Sequence, residues 1–171
     1  MVLIMRNYTF RLKPGQDLFD SISLFIRQKK IEAGCVLSGV GRLTKAAIRF
    51  ANQGSVSEFE EYFEIVSLTG TVSIHGSHLH ISMSDGKGRT IGGHLGSGCK
   101  IYTTAEIVIA AFDDVVYKRE YAEDSGYEEL TVDEGLKHLY SFNACRNSSW
   151  FRTVFLNPNR FPSLVNCGGS T

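Results

Sequence analysis

The sequence lacks an excess of charge of either sign. Its 171 residues include 18 lysines and arginines and 18 aspartates and glutamates, so its formal net charge at pH 7 is zero. Domains that bind DNA on their own are usually basic, because phosphate neutralisation supplies much of their affinity. The balance therefore argues against autonomous binding to nucleic acid.

Long hydrophobic runs are also missing. A membrane-spanning helix needs about 20 apolar residues, whereas the longest apolar run near the middle, Ala105–Phe112, is interrupted by Glu106. The apolar start Met1–Met5 is too short for a signal peptide, and no small-residue cleavage site follows it. We therefore expect an intracellular protein, cytoplasmic or nuclear, with no membrane partner.

The sequence lacks closely spaced cysteine pairs and the common catalytic motifs. Its four cysteines, Cys35, Cys99, Cys145 and Cys167, form no C-x-x-C pair of a zinc knuckle or redox site. In a reducing compartment such thiols stay unpaired, although a Cys145–Cys167 bridge remains open. No G-x-S-x-G elbow, Walker A loop or G-x-G-x-x-G fingerprint occurs.

The composition is that of one globular domain, with 43% hydrophobic and 21% charged residues. Alternation of apolar and polar residues predicts a first strand over Arg6–Lys13. An apolar stripe predicts a helix over Asp17–Ile31, with Gly34 as its stop signal. The glycines of Gly39–Gly41 indicate a turn or a bulge.

The remainder of the first 140 residues favours strands. These are predicted at Cys35–Gly39, Ala46–Ala51, Tyr62–Ser73, Ser77–Ser84, Thr90–Leu95, Ile101–Phe112, Val115–Tyr121 and Glu128–Thr131, with a loop at Gly54–Glu58. The fold class expected is α+β, a mostly antiparallel β-sheet flanked by one main helix and short helices.

The end of the chain differs in composition from the rest. Residues 141–171 contain three arginines, five asparagines, no acidic residue and Trp150, the one tryptophan of the sequence. We therefore divide the chain into a domain at residues 1–140 and a C-terminal extension of unknown role at residues 141–171.

Four of the five histidines lie within 20 residues of one another, around a predicted hairpin. The turn signal Asp85–Gly88 places His80 directly opposite His94 if Lys87 is its centre, with Cβ atoms about 5 Å apart. His78 lies two residues along the same strand, hence on the same face.

Three imidazoles on one face suit a tetrahedral cation such as Zn²⁺, with a fourth position left for water or substrate. The alternative is that they are polar strand residues facing solvent or a subunit contact. His75 lies three residues before His78, so on a continuous strand it faces the other side of the sheet. It is therefore left out of the predicted metal site. Gly92-Gly93, inside the second strand, indicates a bulge or a close backbone approach beside the histidines.

Three segments carry a resemblance to a known family. They are Phe63–Gly70, the hairpin from His78–Ser82 through Gly92–Leu95, and Tyr102–Ile107. Together with the order of one early helix and then strands, they resemble the PPC domain, shared by plants and prokaryotes, over about Arg6 to Tyr140.

The resemblance implies an antiparallel sheet beside helices, assembled as a homotrimer. Stand-alone prokaryotic members are similar to this chain in carrying three histidines, which implies zinc at His78, His80 and His94. Plant members usually lack them and carry an AT-hook with an Arg-Gly-Arg-Pro core, which is absent here.

In plant members one strand contacts transcription factors. The matching residues here are Tyr62, Phe63, Glu64, Ile65 and Val66, which implies a partner-contact strand. The function expected is that of a binding or regulatory protein with a zinc site, associated with DNA through transcription or chromatin proteins.

A more distant likeness to acetolactate decarboxylase-type proteins implies a different function. In such proteins a histidine-held zinc polarises a carbonyl or activates water. The alternative is then a small zinc-dependent hydrolase or decarboxylase acting on a carbonyl or ester, with Arg89 and Glu106 as candidate catalytic residues. A glutamate such as Glu106, inside an apolar strand, more often forms an ion pair with arginine or lysine at a subunit contact. A metal-free trimeric scaffold is the third alternative.

Overall fold

The computed structural model describes residues 5–134, which form one helix and nine strands. In chain order these are β1 (Met5–Leu12), α1 (Leu18–Lys29), β2 (Gly34–Arg49), β3 (Ser57–Phe59), β4 (Phe63–Val72), β5 (His78–Asp85), β6 (Thr90–Leu95), β7 (Lys100–Phe112), β8 (Val115–Ala122) and β9 (Tyr127–Glu134). The predicted C-terminal extension and the Cys145–Cys167 pair lie outside the described residues.

Every strand pairing in this part of the chain is antiparallel. The predicted α+β class with one main helix is therefore confirmed, while the additional short helices are not found among residues 5–134. The helix α1 has 12 residues, and no helix there is long and apolar enough to cross a membrane.

Seven strands form one sheet in the order β1-β7-β2-β4-β5-β6, with β3 on the side of β2. The sheet curls back on itself, because β6 also pairs with β2 through Ile48↔Leu95 and Arg49↔His94. Strands β2, β4, β5 and β6 thus close a ring. Strands β8 and β9 form a separate two-stranded hairpin.

The structure corrects the prediction of two strands separated by a turn at Gly39–Gly41. A single strand of 16 residues, β2, runs through this segment, with register shifts against β7 on both sides of it. Gly41 has φ of 150°, and a Cβ there would lie 2.3 Å from the carbonyl oxygen of Thr104. The glycine permits a bulge and a close approach to β7, so the strand bends and continues.

The helix begins as predicted but ends earlier. Asp17 caps it by accepting a hydrogen bond from the Asp20 amide at 3.1 Å. Lys30, with φ of 52°, ends it in the left-handed conformation, and the Ile31 amide donates to the Ile26 carbonyl at 3.1 Å. The predicted stop signal, Gly34, is instead the first residue of β2.

The hydrophobic core lies between α1 and the sheet. The buried stripe of α1, Leu18, Ile22 and Ile26, belongs to one cluster with the inward-facing residues of β2, β4, β5 and β7. Alternate residues of these strands point away from the core, as the period of two requires. The short strand β3 begins at Ser57, inside the predicted loop Gly54–Glu58, and ends one residue beyond it at Phe59. The prediction missed it because its pairing with β2 is a contact between separate segments, which gives no local pattern.

Candidate metal centre

The hairpin of β5 and β6 carries all three clustered histidines, His78 and His80 on β5 and His94 on β6. Its turn is held by Asp85, whose Oδ1 accepts hydrogen bonds from the amides of Lys87 at 2.8 Å and Arg89 at 2.9 Å. This turn sets the register His80↔His94, which confirms the predicted pairing. The hairpin therefore places both imidazoles on one face of the sheet.

The three predicted histidines converge. His78 Nε2 and His80 Nε2 lie 3.0 Å apart. The ring of His94 has its centroid 5.0 Å from that of His78 and 5.7 Å from that of His80. One ring nitrogen from each residue lies within 4.8 Å of the other two, and these three residues form the one such cluster found among the described residues.

Burial and neighbouring bases keep two of the imidazoles neutral at physiological pH. Burial lowers the pKa of His94 to about 4, and the charges of His78 and Arg49 act in the same direction. Burial also lowers the pKa of His78, followed by the effects of His80 and Arg119. Neutral imidazole is the form that binds a metal ion.

The donor set fits a metal ion. Two nitrogens bound to one tetrahedral zinc at about 2.0 Å lie roughly 3.3 Å apart, close to the separation of the Nε2 atoms of His78 and His80. His94 Nδ1 is buried and has no hydrogen-bond partner within the described residues. Buried polar atoms are normally satisfied, so this nitrogen is suited to a metal or to an ordered water.

The position of His94 depends on the residue before it. A Cβ on Gly93 would lie 2.6 Å from the carbonyl oxygen of Arg49. Glycine therefore lets β6 approach β2, which places His94 at the closure of the ring. The predicted close backbone approach at Gly92-Gly93 is confirmed, since a Cβ on Gly92 would meet the Ile81 carbonyl oxygen at 2.6 Å.

Two cavities meet at the histidines. One, of about 960 Å³, is lined on one side by His78, His94 and Arg49 and on the other by the β8–β9 hairpin. The second, of about 370 Å³, is lined by His78, His80 and Arg119. The histidines can therefore be reached from both cavities, which meet at His78.

The other predicted catalytic candidates lie elsewhere. Arg89 pairs with Asp85 at 2.7 Å in the hairpin turn, at the end of β6 away from His94. Glu106 is exposed on β7, opposite Val40 of β2. Neither lines a cavity that the histidines enter.

His75 stays outside the cluster, as predicted, and lines the larger cavity from the turn before β5. The structure adds three residues that the sequence reasoning missed. Arg49 comes from β2, as the register partner of His94. Arg119 and Glu129 come from the β8–β9 hairpin. Arg49 could have been predicted only from the pairing of β2 with β6, and no local pattern in the sequence reveals that pairing.

The predicted partner-contact strand alternates between core and surface. Phe63 and Ile65 are buried, whereas Tyr62 is 64% and Val66 is 56% exposed. Glu64 is exposed and forms an ion pair with an arginine of β2 at 2.6 Å. Only one side of this strand is therefore available to another molecule.

Comparison with known families finds one match. Residues 2–113 match the model of the Plants and Prokaryotes Conserved (PCC) domain. This segment holds all three clustered histidines and ends before β8.

Two named relatives show where similar sequences occur. The bifunctional protein GlmU of Synechococcus sp. (strain JA-3-3Ab) is 44% identical over 130 residues, which cover 76% of this chain and 21% of that protein. The chain spans about a fifth of the length of the GlmU proteins it matches. AT-hook motif nuclear-localized protein 21 of Arabidopsis thaliana is 28% identical over 143 residues, covering 80% of this chain and 46% of that protein.

Solved structures share the fold. A hypothetical protein from Salmonella has a TM-score of 0.76 and 35% identity, over 78% of this chain and 97% of the other. The metal-containing protein AF0104 from Archaeoglobus fulgidus has a TM-score of 0.66 and 26% identity, over 77% of this chain and 99% of the other.

Proposed function

The chain belongs to the Plants and Prokaryotes Conserved domain family, the PPC domain of the sequence comparison, and on this premise we propose that it is a zinc-binding regulatory protein acting through protein partners. The observation that carries the proposal is the convergence of His78, His80 and His94 within 4.8 Å. A related solved structure described as metal-containing supports it.

A zinc ion held by these three histidines would have an open coordination position. Three imidazoles supply three ligands and leave one position of a tetrahedron for a further group. The cavity of about 960 Å³ beside His78 and His94 gives that position access from solvent. When bound, zinc would supply a Lewis acid to a group in this cavity.

The regulatory part of the proposal rests on an exposed strand surface that could contact other proteins, because the net charge gives no support for direct binding to DNA. The net charge of zero and the absence of an Arg-Gly-Arg-Pro core leave contact with DNA to partners. The exposed side of the Tyr62–Val66 segment is the surface that we assign to transcription or chromatin proteins. The proposal places the protein inside the cell, in the cytoplasm or the nucleus.

The test is the metal content of the full chain purified without an affinity tag and without added metal. Elemental mass spectrometry should find about one zinc per chain in the wild type, as expected for a single tetrahedral site. The variants His78→Ala, His80→Ala and His94→Ala should each lose it, because two imidazoles do not complete the site.

His75→Ala is the matched control, since His75 lines the same cavity but lies outside the cluster. Its zinc content should equal that of the wild type. Wild-type protein free of metal would overturn the zinc site and leave the metal-free scaffold. Equal zinc in His80→Ala and wild type would assign the metal to other residues.

The cavity favours a second candidate, a small zinc-dependent hydrolase or decarboxylase. A hydrolytic zinc needs an open coordination position facing a substrate cavity, and His78 and His94 border such a cavity. Ester and keto-acid substrates should be screened with the zinc-loaded chain. Turnover that is lost in His80→Ala and kept in His75→Ala would support the enzyme over the regulatory protein.

We also propose that the chain assembles as a homotrimer. Apolar and aromatic side chains of β2 and β7 also stay exposed, namely Leu37, Val40 and Tyr102. Surfaces of this kind are usually covered by a partner, and a second copy of the chain is the partner that we assign.

A further inference from the structure

Two arginines stand beside the three-histidine cluster. Arg49 is the register partner of His94, so the two side chains share a face with Cβ atoms about 5 Å apart. Arg119 reaches from β8 to β4, where its Nη2 donates to Thr71 Oγ1 at 2.7 Å. Thr71 is in turn the register partner of His78. Both guanidinium groups therefore border the cavity that the histidines enter.

Neither guanidinium forms a salt bridge with a carboxylate of the described residues. Most other arginines of β-strands and their turns do form one: Arg6 pairs with Asp113, Arg42 with Glu64 and Arg89 with Asp85. Arg49 instead donates to the Gln53 carbonyl at 3.4 Å, and Arg119 donates to a threonine hydroxyl. Each keeps donors available for a carboxylate or phosphate.

Acidic groups face the same cavity, but on one side of it. Glu128 and Glu129 line it from β9, and Glu129 acts on His78 in opposition to Arg119. At His94 the charged neighbours are all bases. Arg49 and Arg119 are both among these bases, so the part of the cavity at His94 is its most positive part, and a divalent cation at the histidines would add to this potential.

We propose that this cavity binds a small oxyanion, a carboxylate or phosphate group, between Arg49 and Arg119, with one anion oxygen at the open position of the metal. The inference rests on the proposed zinc site and extends it to the class of its ligand. A planar guanidinium recognises such groups through paired N–H···O bonds. A metal with three protein ligands accepts the remaining oxygen.

The test uses the full chain loaded with zinc, freed of excess metal, and measured for zinc content before each titration. Isothermal titration calorimetry at constant ionic strength then follows the addition of sodium phosphate in one arm and sodium glycolate in the other. Binding with a Kd below about 1 mM in either arm supports the proposal, and the tighter arm tells phosphate from carboxylate. No binding of either anion at 10 mM, roughly ten times that value, overturns it.

Substitutions locate the anion. Arg49→Gln and Arg119→Gln should each weaken binding at least about 10-fold, the usual effect of losing a charge-assisted hydrogen bond, with zinc content unchanged. Lys118→Gln removes the same charge from the neighbouring position of β8, where Lys118 pairs with Asp133, and should bind as the wild type does. Equal affinity in Arg49→Gln and wild type overturns the proposal.

Arg119→Gln removes the contact between β8 and β4 as well as the charge, so Arg119→Lys is used as a second variant at this position. It keeps the positive charge but not the planar fork, so its affinity should lie between those of the wild type and Arg119→Gln. Failure of the zinc site is seen first, as missing zinc in the wild type. Failure of the anion site is seen as full zinc content with no anion binding.

Discussion

At the scale of the residue, a glycine decides whether the site can form. Gly93 carries no chemistry, yet any side chain there would meet the Arg49 carbonyl oxygen at 2.6 Å. A backbone oxygen cannot rotate away as a side chain can, so β6 would have to move from β2. His94, the next residue, would move with it.

We predict that Gly93→Ala lowers the free energy of unfolding by about 1–3 kcal/mol, the usual cost of overpacking. Zinc affinity should fall as well, because the substitution displaces His94 relative to His78 and His80. Urea denaturation monitored by circular dichroism measures the first effect, and zinc titration measures the second.

Gly86→Ala is the control, since Gly86 lies in the same hairpin with nothing within 4 Å of its added Cβ. Its stability should stay within about 0.5 kcal/mol of the wild type, as for most surface changes. A Gly93→Ala protein as stable as Gly86→Ala would contradict the tight approach.

The ligands of the candidate metal site were predictable from the sequence, whereas its surroundings were not. His78, His80 and His94 follow from one turn signal and the period of a strand, which are local properties. Arg49 and Arg119 reach the site through the closure of β2 on β6 and the contact of β8 with β4. Both are contacts between distant segments, for which a single sequence carries no pattern.

At the scale of the element, two carboxylates bind the N-terminus of α1 to the turn between β6 and β7. Asp20 Oδ2 accepts a hydrogen bond from Ser97 Oγ at 3.0 Å, and Asp17 makes two further contacts. Asp17 accepts from the Asp20 amide at 3.1 Å through Oδ1 and from the Gly98 amide at 2.8 Å through Oδ2. It is 8% exposed. One side chain therefore caps the helix and holds the turn between β6 and β7.

We predict that Asp17→Ala lowers the free energy of unfolding by about 2 kcal/mol, because a cap is lost and a second amide loses its acceptor. Asp17→Asn should lose about half of that, since asparagine caps as well as aspartate does but has one acceptor oxygen, which leaves the Gly98 amide facing its Nδ2 donor. Thermal and urea denaturation of the three proteins measure the difference. Equal losses in the two variants would contradict the capping role.

Most of the predicted elements have either a regular period or a run of β-branched residues, and both are local properties. The bounds predicted for the helix, β1, β4, the β5–β6 hairpin, β7 and β8 lie within two residues of those in the structure. The long strand β2 was divided in two, since Gly39–Gly41 has the composition of a turn and only the neighbouring β7 makes it a bulge. The helix end was misplaced because Lys30, not a glycine, takes the left-handed conformation.

At the scale of the whole molecule, the proposed trimer can be tested by a substitution on the exposed face of the sheet. Val40 of β2 is 47% exposed and lies opposite Glu106 of β7. We predict that the wild type has about three chain masses of 19.0 kDa in solution. Val40→Glu should give a smaller species, because it places a charge in an apolar contact.

Light scattering coupled to size-exclusion chromatography measures both masses. Val56→Glu is the matched control, because Val56 is 48% exposed but precedes β3, away from the β2–β7 face. It should keep the wild-type mass. A monomeric wild type, or a trimeric Val40→Glu protein, would contradict the assignment of this face.

The placement of all three ligands in one hairpin has a consequence for the growing chain. His78, His80 and His94 belong to β5 and β6, and the ring closes through residues of β2 that precede them. During synthesis on the ribosome the complete ligand set is therefore made before any residue of β7. Arg119 follows only after the whole of β7. A metal held by these histidines would need only the first of these two stages, whereas one of the two arginines proposed to select its ligand, Arg119, belongs to the second.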